Sequence, residues 1–231
     1  MKLKNRIATI LVAFVSMCGF SMQDCDCENQ NGTKPSDPKR LSFYEVPLVC
    51  PAAPHIGCGS ASKPLLLGLE RNKTVSGAWL NRAGTILAVA WSEGSKQRQR
   101  SKTVEALFKE RQIEAKELSG EARQSALKDF QAGSAWYRGA EVDRLSEEEA
   151  GIMAGRLIKK IRSTVTVNDQ DAGILRESFT KILARRLTGE LPDRKSAEAE
   201  ILKVCQQYLN EQEVGWLQEA LKDFRPNRDE P

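Results

Sequence analysis

Apolar positions follow two regimes along this chain. Up to about residue 91 they come in short runs and alternations, and from Leu145 onward they recur every three or four residues. Ser42 to Val49, with Phe43, Tyr44, Val46 and Val49, predicts a strand, and Pro47 within it points to an edge or an early end. Cys50 to Ser60 reads as a loop built on Pro51, Pro54, Gly57 and Gly59. Ser60 to Asn72 predicts a helix capped by Ser60 or Ser62, with Pro64 in its first turn and Leu65, Leu66 and Leu69 on one face. Val75 to Leu80 and Thr85 to Trp91 predict two strands joined by a turn over Asn81 to Gly84.

A polar, basic connection follows from Ser92 to Lys102, and then a long helix from Thr103 towards Phe130, interrupted near Gly120. Ala135 to Val142, with Trp136 and Tyr137, predicts a fourth strand of this region. Beyond it the period is helical throughout. Ser146 with Glu149 reads as a capping box opening a helix to about Ile161. Ala172 to Leu187 predicts a second helix and Ser196 opens a third; Asn210 with Glu213 caps a last one. These apolar stripes need one another, which predicts a small helical bundle.

The N-terminus changes the setting. Lys2, Lys4 and Arg6 precede an uncharged, mostly apolar run from Ile7 to Phe20. That run is short against the roughly 20 residues of a membrane span, and it has the form of a signal peptide with cleavage before Met22. Val15 to Cys18 is similar to a lipobox, which makes Cys18 a candidate lipidation site, with Met17 where a small residue is usual. The expectation is an exported protein, periplasmic or attached to the cell envelope, meeting a membrane only through an N-terminal anchor. The formal charge of +4 on 231 residues gives no reason to expect a nucleic-acid partner. The segments predicted are 1–21 signal peptide, 22–40 flexible linker, 41–142 an α+β domain, 143–225 the helical bundle and 226–231 a tail.

Cysteine usage then matters, because an exported chain can form disulfides. Cys25, Cys27, Cys50, Cys58 and Cys205 remain after removal of the signal peptide, an odd number that leaves one thiol free, bridged to another molecule or ligating a metal. Cys25 and Cys27 lie in the linker, and Cys205 lies on the apolar face of its helix as a buried thiol. The densest chemistry is the stretch Cys50 to Ser60, which holds two cysteines and the single histidine, His55. Three uses stay open for it. Cys58 with Cys50 or His55 binds a soft or borderline metal; Cys50 and Cys58 pair as a disulfide that clamps the loop; or Cys58 serves as a reactive thiol with His55 as its base.

The order strand, cysteine loop, helix, hairpin resembles the heavy-metal-associated domain, whose exported members include periplasmic mercury-binding proteins. With Cys58 at the first motif cysteine, the family's helix leucine falls on Leu69, the start of its second strand on Val75 and its third strand on Val89, without a gap. The second motif cysteine falls on Ala61, and Ile56-Gly57 stands where the family has Gly-Met-Thr. The resemblance covers about residues 42–91, extending to 142. It implies an α+β, ferredoxin-like βαββαβ sandwich ahead of the helical bundle. It also implies a soft metal ion, Cu(I), Hg(II) or Zn(II), held by Cys58 with Cys50 and His55.

The expected function is therefore an exported binding protein without a catalytic role. The alternative is a disulfide-clamped module that docks another envelope protein. Lys96, Arg98, Arg100 and Lys102 form a solvated basic connection that can also meet anionic headgroups. Glu147, Glu148 and Glu149 sit where a helix N-terminus favours carboxylates, and the four tryptophans suit core or boundary packing.

Overall fold

The computed structural model describes residues 37–133 and 135–223. The predicted signal peptide, Cys18, the linker up to residue 36 with Cys25 and Cys27, and the tail lie outside the described residues, while Pro38–Arg40 at the end of the linker form a 3-10 turn.

Five strands form one antiparallel sheet in the order β6-β1-β5-β4-β7. They are β1 (Leu41–Glu45), β4 (Val75–Asn81), β5 (Ile86–Trp91), β6 (Lys116–Glu117) and β7 (Trp136–Tyr137). A separate hairpin pairs β2 (Val49–Cys50) with β3 (Ala53–Gly57). The helices are α1 (Gly59–Glu70), α2 (Gln97–Arg111), α3 (Gly120–Ala132), α4 (Asp143–Arg162), α5 (Asp169–Leu187), α6 (Arg194–Cys205) and α7 (Glu211–Asp223). The protein is thus a mixed α/β chain with seven α-helices among the described residues and an antiparallel sheet.

Alternation along β5 explains how the sheet is buried on both faces. Leu87, Val89 and Trp91 pack with Tyr44 against Leu65, Leu66 and Leu69 of α1 and Val104 and Phe108 of α2. Ala88 and Ala90 face the other way, with Leu41 and Phe43 of β1, and leave room for bulk from α3. Phe130 of α3 fills it, with its ring 5.8 Å from Phe43, 5.3 Å from Trp79 and 5.0 Å from Trp136, each edge-on. The Trp91 indole N–H donates to Ser42 Oγ at 3.0 Å, so both groups are satisfied in the interior. Beyond the sheet, α4 to α7 surround a third apolar cluster, which also takes in Cys50, Ala52, Ala53 and Ile56 of the β2–β3 hairpin.

Several sequence-based expectations are corrected here. The stretch read as a loop from Cys50 to Ser60 contains the β2–β3 hairpin and the first residues of α1. α1 is capped by Cys58, not by Ser60 or Ser62, and Ser62 Oγ instead donates back to Cys58 O at 2.6 Å. The helix expected from Thr103 to Phe130 is two helices, α2 and α3, lying on opposite faces of the sheet with β6 between them. Gln112 in the left-handed region (φ 54°) ends α2, and Gly120 at φ 54° opens α3. The basic run Lys96 to Lys102 is not a connection: Lys96 is the N-cap of α2 and the rest lies in its first turns.

The expected last strand, Ala135 to Val142, is reduced to β7, which pairs with β4 at the far edge from β1. The strand order and helix placement therefore differ from the four-stranded arrangement expected. α4 begins at Asp143, so Ser146 and Glu149 are not a capping box but buried residues on its inner face. At the other end of the chain Asn210 and Glu213 do form reciprocal cap bonds, at 2.9 and 3.0 Å.

Candidate thiol site at the start of α1

The β4–β5 turn holds the hairpin that delivers the site. Leu48 N–H donates to Gly84 O at 3.0 Å and Gly57 N–H to Arg82 O at 2.6 Å, which lays the hairpin along the turn. Cys58 N–H then donates to Leu48 O at 2.7 Å, fixing the start of α1 against the same strand. Within the hairpin Val49 lies opposite Gly57, and a bulge follows between Val49 and Cys50. The bulge breaks the alternation: Leu48 packs in the sheet cluster while Cys50, two residues on, packs with α4 to α7.

Cys58 is half-buried, as the N-cap of α1. Its side chain makes no cap bond, and its Sγ lies 3.4 Å from Ser60 Oγ. The following Gly59 is buried against α4: a methyl group there would fall 2.3 Å from Ser146 Oγ and 2.8 Å from Val142 O. Only glycine lets the first turn of α1 approach α4 this closely.

Cys50 is fully buried, and its thiol interacts electrostatically with the carboxyl of Glu149 on α4. Burial, reinforced by that carboxyl, pushes the Cys50 thiol up to about 12. Burial also raises Glu149, although the Cys50 thiol and the Arg186 charge pull it down. Glu149 Oε2 and Ser146 Oγ are buried without a hydrogen-bond partner, as is Asp143 Oδ1, whose other oxygen accepts from Lys63 at 2.5 Å. The three residues follow at i, i+3 and i+6 on α4, so one face of its first turns gathers every such atom found among the described residues.

His55 is exposed on β3, away from the buried Cys50. Cys50, Cys58 and Cys205 are free thiols. Among the described residues, no group of three or more His, Cys, Asp or Glu side chains stands close enough together to hold a metal ion. What the fold does bring together is Cys58, Cys50 and α4: both cysteines pack against the same apolar cluster. Cys205 is buried, and burial pushes its thiol up to about 12.

Glu149 and Ser146 were read from the sequence as a helix start, and Arg186 was not singled out. One signal for the first two is present in the pattern. They lie on the stripe that continues through Ala150, Met153 and Leu157, where polar residues are out of place. Of the three glutamates, Glu148 pairs with Arg82 of the β4–β5 turn, which ties α4 to the strands that hold the hairpin.

The three described cysteines should differ sharply in reactivity. With iodoacetamide at pH 8, Cys58 is expected to react first, and Cys50 and Cys205 at least about a hundredfold more slowly, since burial removes both access and thiolate. Peptide mapping of the alkylated sites checks this order; equal rates at Cys50 and Cys58 would mean that the hairpin does not hold Cys50 inside.

No protein-family model, curated protein or solved structure matches this chain.

Proposed function

We propose that this is an exported, envelope-associated binding protein that holds a soft metal ion through Cys58. The observation that carries the proposal is the position of Cys58: a half-buried thiol at the N-cap of α1, directly after the hairpin that leads from β1 into that helix. The proposal extends to the fold. The succession β1-α1-β4-β5-α2-β6, with neighbours in the order β6-β1-β5-β4 and α1 and α2 on one face, supports a ferredoxin-like core. The β2–β3 hairpin, α3, β7 and α4 to α7 are additions to it. On this proposal Cys58 stands where heavy-metal-associated domains carry their first metal cysteine.

The donor chemistry fits a soft ion that accepts two thiolates, so Cu(I) or Hg(II) suits it better than Zn(II), which asks for four ligands. Cys58 would be the first contact and Cys50 the second, with His55 an outer helper from its exposed place on β3. The second candidate is a disulfide-clamped interaction module without metal. It is favoured by one specific feature, that Cys50 and Cys58 lie on paired neighbouring segments and pack against a common cluster.

One titration separates the two. The mature chain carrying Cys25→Ser and Cys27→Ser, reduced and free of oxygen, is titrated with Cu(I), Hg(II) and Zn(II) against a competing chelator. One equivalent of Cu(I) or Hg(II) is expected to bind, with affinity lost at least about a hundredfold in Cys58→Ser and about tenfold or more in Cys50→Ser. Binding no tighter than that of a lone thiol, together with ready formation of a Cys50–Cys58 bridge in air, would discard the metal proposal in favour of the clamp.

A further inference from the structure

Helices α4 to α7 line a half-open cavity of about 130 Å³ that the thiol site does not use. Its walls are apolar, with Leu157 from α4, Leu183 from α5, and Ala197 and Ile201 from α6. The pocket opens to solvent at one side, while its floor is formed by buried aliphatic side chains. Apolar walls give a water cluster few partners, whereas dry cavities of roughly 150 Å³ accept a benzene-sized guest. Met153, which also lines the space, is an unbranched side chain that can adapt to an occupant.

The mouth carries charge, and its two arginines differ. Arg194 is engaged: it pairs with Glu198, and its Nη2 donates to Leu221 O at 2.5 Å. The side chain of Arg186, in the last turn of α5, makes no hydrogen bond or ion pair with any described residue, and its electrostatic neighbour is Glu149. A guanidinium offers paired N–H donors at the spacing of a carboxylate's two oxygens. With Glu198 matched to Arg194, Arg186 is the guanidinium at the mouth that has no ion-pair partner among the described residues.

We infer that this cavity is a binding site for a compact apolar carboxylate, its hydrocarbon body between α4, α5 and α6 and its carboxylate on Arg186. The inference does not rest on the metal proposal, and the ligand is the same whether or not Cys58 is loaded. Size selects a body of about six to eight carbon atoms. Charge selects an anion over the matching alcohol.

Calorimetric titration of the mature chain with hexanoate, hexan-1-ol and acetate tests it. Hexanoate is expected to saturate at one equivalent, hexan-1-ol to bind at least about tenfold more weakly, and acetate to give no measurable heat. Arg186→Gln should bring hexanoate down to the level of hexan-1-ol without moving hexan-1-ol itself. Ala197→Leu, which fills the space, should abolish both. Thermal melts verify that each variant folds, and if Ala197→Leu does not, the charge comparison in Arg186→Gln decides alone. Three results would each overturn the inference: no saturable binding of hexanoate; equal binding of hexanoate and hexan-1-ol; or hexanoate binding that survives unchanged in a folded Ala197→Leu or in Arg186→Gln.

Discussion

Gly84→Ala is expected to cost about 3 kcal/mol or more of folding stability, combining a strained backbone with a clash against fixed atoms. Gly84 has a φ of +73°, a region that costs a residue with a Cβ roughly 1–2 kcal/mol. The new methyl would also stand 2.4 Å from Leu48 O and 2.5 Å from Gly57 Cα, both backbone atoms that no side-chain rotation can move. Leu48 immediately precedes β2 and Gly57 ends β3, the segments that position Cys58, so relief requires the β2–β3 hairpin to lift off the β4–β5 turn. Gly94 supplies the control. It has the same φ of +73°, and a methyl there meets nothing within 4 Å. Gly94→Ala should therefore lose only the conformational part, about 1 kcal/mol. Urea unfolding of both variants measures the difference, and alkylation of Cys50 should quicken in Gly84→Ala alone. Equal losses at the two sites would show that the hairpin does not press on the turn.

Glu149→Gln is expected to stabilise the protein at neutral and alkaline pH and to change little in acid. The folded state raises the carboxyl of Glu149 through burial, so between its unfolded and folded pKa the folded protein holds more proton than the unfolded chain. The contribution of the protonated carboxyl is complete below the unfolded value, near pH 4.3, and is lost as pH rises through the raised folded value. Above that, an ionised carboxyl must be kept inside, with Oε2 unpartnered and only the Cys50 thiol and the Arg186 charge in its favour. Glutamine keeps the shape and never ionises. In thermal melts the advantage of the variant should be larger at pH 8 than at pH 5, by about 3 °C for each kcal/mol of difference in a chain of this size. Identical melting curves at both values would mean that the carboxyl reaches water when charged.

The sheet strands were legible in sequence because each is short, alternating and closed by its own turn chemistry. Val75 to Leu80 and Thr85 to Trp91 fall within one residue of β4 and β5 at all four of their ends. The C-terminal helices were legible for the same local reason: Asn210 with Glu213 forms the cap its spacing predicts. Cys50, Cys58 and His55 stood out as a cluster of reactive residue types, and Cys58 does sit at the start of a helix.

What periodicity could not carry was which apolar face meets which. The run from Thr103 to Phe130 has apolar positions throughout, yet Val104 and Phe108 serve one face of the sheet and Ala126 and Phe130 the other. Covering both faces requires the chain to pass around an edge, which Gln112 and Gly120 permit and β6 accomplishes. Ser146 and Glu149 have the local form of a helix start. Tertiary packing overrode it by beginning α4 at Asp143 and turning both residues towards α1 and Cys50, because Gly59 lets the helices approach so closely. Cys50 and His55 are neighbours in sequence but have opposite environments, since a bulge turns Cys50 into the helical cluster while His55 stays on the solvent side of β3. The sequence by itself determined the reactive residue types, the strand pair β4–β5 and the helical half, all set by short-range pattern. The tertiary structure alone decided that Cys58 is the accessible thiol among the described cysteines and that Glu149 stands near Cys50, because burial and partnership depend on contacts about a hundred residues apart along the chain.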